Sequence, residues 1–470
     1  MKKIIYIFVS AAMVSGFAGC SKYLDKLDNP NLVTAPPLNG LLAKATFETA
    51  TDVFRMGNVV SYYTQYLASN VRRSDADIYN QVDYSGTWTS FYTTMMNIKQ
   101  MNDLAMKQGS WQHLGVGKIL LAYNINMLIT AFGDVPFSEA LQGQQLLVPK
   151  FDNQATLQAS CLQLLDEGIA ELNKTGSALN LDAASDVIHN GNKAAWIKTG
   201  YALKARFLNQ LSKTKTYNAA NVLTAVTSAY TANGDDATLK AFSGRSPWNA
   251  VAYNNTQLNL NGWLSKQFVD ALNGTAYGVA DPRLPKIATL TKFGDYRGTA
   301  NGVGRIGTGT NQEESYLSVN GFYSTGNAPL LLVTYSEVKF IEAEASLNAG
   351  NKAKAYAAYL VGIRSHMDKL GVSETDKNLY VNNPAVMVGE ANITLDVIFK
   401  EKYVAMFLNP EAWVDARRFN YKYKNFKLPD GAVLTTFIRR LAYPTVETSR
   451  NGANVPAVNK LDERLAFDEN

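Results

Sequence analysis

Residues 334–370 read TYSEVKFIEAEASLNAGNKAKAYAAYLVGIRSHMDKL, and this stretch decides the fold of the chain. Thr334 and Glu337 have the S/T-x-x-E spacing of a capping box, where each side chain hydrogen bonds to a free backbone N–H at a helix start. Apolar residues then recur every three or four positions on both sides of Gly350: Tyr335, Val338, Ile341 and Ala345 before it, and Tyr356, Leu360, Ile363, Met367 and Leu370 after it. The pattern predicts two amphipathic helices joined by a turn short enough to make them antiparallel.

A helical hairpin of roughly three dozen residues has the size of a tetratricopeptide-type unit, and such a unit needs neighbours to bury its apolar stripes. Further helical patterns occur at 39–67, 88–98, 116–132, 152–172, 191–211, 218–230, 393–408 and 411–419. From about 234 to 327 the periodicity is poor, and we term this segment the excursion. A region of this length without helices is usually functional. We therefore predict a mostly α fold of about four such hairpins with long irregular loop excursions.

The composition favours one large folded domain. The chain has 470 residues, of which 46% are hydrophobic and 18% are charged, so it can bury a large core and is not a disordered protein. No Pro-, Ser- or charge-rich linker interrupts it, and we predict a single domain over residues 34–470. The formal net charge is +5 without a block of basic residues, which argues against a nucleic-acid partner.

The N-terminus predicts export and lipidation. Lys2 and Lys3 precede an apolar run that ends at Phe17-Ala18-Gly19-Cys20, which resembles a bacterial lipobox. We predict a lipoprotein signal peptide over 1–19, acylation of Cys20 and a lipidated tether over 20–33. A simple signal peptide cut near Gly19 is the alternative. No later run reaches 18 apolar residues, so the mature protein is expected to be anchored rather than spanning.

The remaining cysteine, Cys161, lies on an apolar helical stripe. With Cys20 taken by lipid, Cys161 has no partner for an internal disulfide. A buried and inert thiol is therefore expected there, rather than a nucleophile.

Several segments together resemble the SusD/RagB family of nutrient-binding outer-membrane lipoproteins. The matching segments are 132–140 (FGDVPFSEA), 193–206, 329–345, Glu401-Lys402 and 413–418 (WVDARR). Asp281-Pro282-Arg283 and Tyr296-Arg297-Gly298 resemble the SusD-like 2 subgroup. Ser21 to Asp25 lacks the dense acidic run that often follows the cysteine in surface-exported lipoproteins of these bacteria.

The resemblance implies a scaffold of four tetratricopeptide-like hairpins and a lipoprotein of the outer membrane that faces the cell exterior. It also implies a partner, a SusC-type TonB-dependent transporter on which the lipoprotein sits as a lid. Finally, it implies a glycan site built from an early loop and from the excursion between the middle hairpins.

The residues themselves give little support to catalysis. His113, His189 and His366 are far apart and lack metal-ligand spacing, so we expect neither a metal nor another cofactor. His366 falls within a predicted helix and is interpreted as a surface side chain. Carboxylates are plentiful, but no pair is singled out for glycoside cleavage. We therefore predict no catalytic residues and a protein that is not an enzyme.

Binding is better supported, because aromatic rings can cover the apolar faces of a sugar while polar side chains pair with its hydroxyls. Two loop regions combine these residue types. The predicted ligand-binding residues are Arg73, Asp75, Tyr79, Tyr84 and Trp88 in the first region and Trp248, Trp263, Tyr296 and Tyr323 in the second. Trp88 and Trp263 are equally compatible with core packing. Trp196 and Trp413 are assigned to packing, and Arg417 and Arg418 to helix-end or ion-pair roles.

The leading hypothesis is non-catalytic capture of an oligosaccharide at the outer-membrane surface and its delivery to the transporter. A second hypothesis keeps the scaffold but takes a peptide or another nutrient as ligand. A third, less favoured, is a polysaccharide-degrading enzyme.

Overall fold

A computed structural model describes residues 37–256, 262–307 and 312–468. The α-helices in these ranges are α1 (Leu38–Val60), α2 (Ser85–Gln108), α3 (Trp111–Phe132), α4 (Gln154–Asn173), α5 (Lys193–Gln210), α6 (Ala219–Thr227), α7 (Pro247–Thr256), α8 (Lys266–Leu272), α9 (Tyr335–Asn348), α10 (Lys352–Lys369), α11 (Glu374–Val381), α12 (Leu395–Ala405), α13 (Glu411–Arg418) and α14 (Thr445–Arg450). The strands are β1 (Leu67–Ala68), β2 (Ala237–Leu239), β3 (Trp263–Leu264) and β4 (Leu330–Val333). The fold is mostly α, as predicted.

Four helical hairpins form the scaffold, in the pairs α1–α2, α3–α4, α5–α6 and α9–α10. Each pair packs on the next, so that the apolar stripes meet in one core. At the contact of α3 with α4 the backbones approach closely, because Gly115 and Gly168 face each other. A Cβ at Gly168 would lie 2.8 Å from the carbonyl oxygen of Gly115. The predicted hairpin scaffold is confirmed.

The hairpin of residues 334–370 forms as predicted, with one difference at its start. Thr334 accepts a hydrogen bond from the backbone N–H of Glu337 at 3.3 Å, which is one half of the capping box. The Glu337 carboxylate instead accepts two hydrogen bonds of 2.6 Å from Arg206 of α5. Both side chains are buried, so each charge requires the other.

The excursion contains more regular structure than the sequence pattern predicts. Helices α7 and α8 lie within it, where no helix was expected. Pro247 begins α7, where its fixed φ suits the first turn, and the Ser265 hydroxyl caps α8 by accepting from the Gln267 N–H at 3.2 Å. Two antiparallel pairs, β1 with β3 and β2 with β4, hold the excursion to the chain on either side of it.

Other predictions about packing are confirmed. Cys161 is fully buried, and burial raises the pKa of its thiol. Trp196 and Trp413 are buried in the core. Arg418 pairs with Glu344 and Asp415, and Arg417 donates to the backbone oxygens of Thr130 and Arg439.

The predictions for the signal peptide, Cys20 and the tether lie outside the described residues. Within the described ranges, α3 alone has the length and hydropathy that a membrane span would need. It is almost wholly buried inside the protein, as a core helix is.

Glu411, at the start of α13, is a buried carboxyl group in a polar cluster. Gln210 donates to it at 2.8 Å. Burial raises the pKa of Glu411 to about 8, and the carboxylates of Asp415 and Glu337 add to this while Arg206 opposes it. Between the ordinary value of 4.5 and about 8, the folded chain therefore holds a proton that the unfolded chain has released. The free energy of unfolding consequently falls as pH rises through this window.

We expect Glu411→Gln to remove the fall in free energy of unfolding that Glu411 causes as pH rises. Glutamine resembles the neutral acid and keeps an oxygen that accepts from Gln210. Relative to the wild type, the variant should gain on the order of 2–4 kcal/mol in free energy of unfolding between pH 5 and pH 9. Chemical denaturation at several pH values measures this difference. Glu390→Gln, at an exposed position, is the control and should leave the pH profile unchanged. Parallel profiles for Glu411→Gln and the wild type would contradict the prediction.

Candidate functional site

The early loop, residues 68–84, meets the excursion. The contact centres on the buried carboxylate of Asp77, which accepts from the Asn301 amide at 2.5 Å and from the Gly302 N–H at 2.6 Å. Asn301 also donates to the backbone oxygen of Leu67 at 2.9 Å. Burial raises the pKa of Asp77 to about 6. These bonds fix the two loops to each other and to β1, which lies between α1 and α2.

Arg73 and Asp75 lie exposed on this loop surface. The Arg73 backbone N–H donates to the Gly302 oxygen at 3.0 Å, while its guanidinium group projects outward, 4.0 Å from the Asp430 carboxylate. The Asp75 carboxylate accepts from the Asn80 amide at 2.9 Å. Both side chains are open to solvent, as a ligand contact requires.

Five of the predicted ligand-binding rings are buried instead: Tyr79, Trp88, Trp248, Trp263 and Tyr323. Trp88 packs against the rings of Phe132, Phe151 and Tyr443, with centroids 5.0–6.4 Å away. None of the five offers a ring face to a ligand in this conformation. The prediction that these five rings are open to a ligand is therefore wrong.

The two tryptophans of the excursion are enclosed by neighbours in the same way. The ring of Trp248 packs edge-on against Phe54 at 4.7 Å. The ring centroid of Trp263 lies 5.1 Å from that of Tyr316 and 4.7 Å from the Arg305 guanidinium carbon.

Tyr323 is buried, with its ring 5.2 Å from that of Phe407, and its hydroxyl pairs with His366 at 2.9 Å. Arg283 lies 3.3 Å from the other ring nitrogen, Nδ1 of His366. Arginine can only donate, so Nδ1 accepts and the Nε2–H donates to Tyr323. Burial, together with Arg283 and Lys369, lowers the pKa of His366 well below its usual value. The interpretation of His366 as a surface side chain is wrong.

Tyr84 and Tyr296 remain half-exposed. The Tyr84 hydroxyl pairs with that of Tyr63 at 2.8 Å, which ties it to the scaffold. Tyr296 lies in a groove of about 1020 Å³ between the excursion and the segment around α11. Of the nine predicted ligand-binding residues, Tyr296 is the one that lines this groove.

An ion network beneath the floor of the groove ties it to α12. Asp281 and Tyr380 line the groove. Arg283 donates to both carboxylate oxygens of Asp281 and, at 2.5 Å, to Glu401 of α12. Tyr380 of α11 donates to the same Glu401 carboxylate at 2.7 Å.

Tyr296 follows a tight turn that holds its position. The Thr291 N–H donates to the Asp295 oxygen at 2.8 Å, and the Asn273 amide donates to the Tyr296 oxygen at 3.3 Å. On the other side, Gly298 lies so close to α8 that a Cβ would meet the Lys266 backbone at 2.5 Å. The ring is thus carried by irregular backbone that has little freedom.

Two residues near Tyr296 were missed from the sequence. Phe293, on the same turn, is 54% exposed, with the Arg297 guanidinium 4.4 Å from its ring centroid. Leu379 of α11 is 69% exposed and lines the groove. The spacing of Ser373 and Asp376 could have revealed α11, since the Ser373 hydroxyl accepts from the Asp376 N–H at 3.1 Å.

The charges lining the groove are Asp281, Asp295, Asp376 and Lys286. Asp281 is neutralised by Arg283, and Arg297 lowers the pKa of Asp295 by donating to it. In the described ranges no group of three His, Cys, Asp or Glu side chains could hold a metal ion. The groove therefore combines apolar surface, a half-exposed ring and little net charge.

Comparisons with known proteins agree with this architecture. A family model for SusD-like proteins of the second subgroup, described as starch-binding and associating with the outer membrane, matches residues 30–444. None of the curated proteins matches the chain.

Two solved structures illustrate the likeness of fold. A SusD/RagB family protein from Bacteroides thetaiotaomicron has a TM-score of 0.76 at 20% identity, covering 92% of this chain and 99% of its own. A chitin-binding SusD homologue from Flavobacterium johnsoniae has a TM-score of 0.75 at 20% identity, covering 91% of this chain and 99% of its own. With the family model matching most of its length, this chain belongs to the SusD-like 2 family.

Proposed function

We propose that this protein binds oligosaccharides without altering them. It is anchored through Cys20 to the outer membrane, faces the cell exterior and passes its ligand to a SusC-type TonB-dependent transporter. Membership of a family described as starch-binding and associating with the outer membrane supports the general function. The relative from Flavobacterium johnsoniae, described as chitin-binding, supports a carbohydrate ligand.

The observation that carries the proposal is the groove at Tyr296. Its volume of about 1020 Å³ lies at the upper end of the range of ligand pockets and is large enough for several sugar units. The half-exposed ring of Tyr296 can stack on a pyranose face, and the exposed ring of Phe293 lies on the same turn, outside the groove lining. Arg73 and Asp75, on the early loop, provide polar groups for a second contact region.

Two of the groove's carboxylates are poorly suited to glycoside cleavage. A glycosidase needs a general acid whose pKa is raised. Arg297 lowers the pKa of Asp295, which is the opposite shift. Asp281 is held on both oxygens by Arg283 and is buried. These features favour binding over catalysis.

A peptide ligand is the second candidate, and the aliphatic lining of the groove favours it. Leu379 and Val279, which line the groove and are exposed or half-exposed, could receive apolar side chains of an extended peptide. A glycan array and a peptide library, applied to the soluble protein that lacks residues 1–20, distinguish the two. Release of shortened glycans by the purified protein would instead support the enzyme.

We expect Tyr296→Ala to weaken binding of an array-identified oligosaccharide by about 5- to 30-fold, because one stacking ring is worth about 1–2 kcal/mol. Isothermal titration calorimetry measures the change in Kd, and thermal unfolding checks that the variant is folded. Tyr253→Ala is the matched control, since Tyr253 is another exposed ring of the excursion, 43% exposed and outside the groove. Equal affinities for the wild type and Tyr296→Ala would reject the groove as the binding site.

We also expect Gly298→Ala to weaken binding of the same ligand, since the added Cβ forces the backbone next to Tyr296 away from Lys266. Overpacking of this kind costs about 1–3 kcal/mol of stability, so both Tm and affinity should fall. Gly326→Ala is the control, because a Cβ at Gly326 meets nothing within 4 Å. Unchanged affinity in a destabilised Gly298→Ala would show that the position of the turn does not matter for the ligand.

A further inference from the structure

Most of the apolar surface of the groove is aliphatic. Of its two rings, Tyr296 is half-exposed and Tyr380 is buried, whereas the exposed or half-exposed aliphatic residues are Val279, Ala280, Pro282, Pro285 and Leu379. Among these, Leu379 is 69% exposed. Aromatic rings suit the flat C–H face of a sugar, but an aliphatic surface has no such geometry. It gains most from covering a projecting methyl group.

Polar groups that can pair with an amide lie beside this surface. The Asn383 side-chain oxygen accepts from the Ala385 N–H at 2.9 Å, which leaves its NH₂ without a partner among the described residues. Asp376 uses one oxygen to accept from the Ser373 hydroxyl at 2.6 Å. The other oxygen can accept a further hydrogen bond. The groove thus offers a donor for a carbonyl and an acceptor for an N–H near the exposed Leu379.

The charges of the groove favour a neutral ligand. Asp281 and Asp295 are each paired with an arginine. Asp376 and Lys286, which have no ion-pair partner in the part of the chain that the structure describes, carry opposite charges. The groove therefore has no net charge that would attract an acidic or a cationic sugar polymer.

We propose that the groove is selective for oligosaccharides of 2-acetamido sugars. The acetamido methyl group packs against Leu379 and its aliphatic neighbours. The acetamido carbonyl accepts from Asn383, and its N–H donates to Asp376. This inference rests on the proposed oligosaccharide binding, and it names the sugar class that the groove takes.

The test compares matched sugars on a glycan array and then by calorimetry. Each pair shares one linkage and differs only at C2, with hydroxyl in one member and acetamido in the other. Cellotetraose and tetra-N-acetylchitotetraose form the β-1,4 pair, and glucan and galactan pairs in other linkages accompany them. Burial of one methyl group is worth about fourfold in Kd, and one added hydrogen bond is worth a similar factor. We expect the acetamido member to bind about tenfold more tightly.

The outcomes separate this inference from the function on which it rests. Tighter binding of the acetamido members supports the inference. Equal or weaker binding of these members overturns it and leaves oligosaccharide binding in place. Binding of no glycan on the array overturns both.

A variant locates the preference in the groove. Leu379→Gln should reduce the tenfold ratio to about threefold or less, because the acetamido methyl group loses its apolar contact. Leu379 is largely exposed, so the protein remains folded. Leu179→Gln, at another exposed leucine outside the groove, is the control. A ratio that stays at tenfold in Leu379→Gln would overturn the assignment to this surface.

Discussion

The buried guanidinium group of Arg283 is the interaction on which the groove depends. It belongs to the excursion, yet it donates to Glu401 of α12 and faces His366 of α10. A buried charge without partners is strongly unfavourable, so the excursion has to lie where these groups surround it. Burial disfavours the charge of Glu401, but Lys400 and Arg283 outweigh this and lower its pKa to about 2. Because Tyr380 also donates to Glu401, the floor of the groove belongs to the same network.

The sequence predicts those parts of the fold that are decided by near neighbours. The helices of residues 334–370 follow from spacings of three and four, and the Thr334 cap follows from one turn of backbone. Glu337 shows where this reasoning ends. Its spacing from Thr334 suits a capping box, but Arg206, 131 residues away, takes the carboxylate. His366 was misplaced for the same reason, since Arg283 and Tyr323 are distant in the chain and close in space.

The candidate site was harder to predict, because exposure of a ring depends on contacts that residue type does not reveal. Trp88, in the first turn of α2, and Tyr296, in the excursion, both adjoin segments rich in polar residues, and these segments do not indicate which ring is covered. Phe132 and Tyr443 cover Trp88, whereas Tyr296 borders an open groove. Leu379 was missed because no helical pattern was recognised at residues 374–381, so nothing indicated which way its side chain points.

A protein that captures a ligand and then hands it over needs a site that is ordered but not tight. The turn before Tyr296 and the close contact after it, at Gly298, fix the ring before the ligand arrives, so little conformational entropy is lost on binding. The groove is also open and carries one half-exposed ring, which limits the contact area that a bound oligosaccharide can gain. An ordered site favours recognition of the ligand, and a small contact area favours its rapid dissociation. On the proposed function, this combination lets the transporter compete for the ligand.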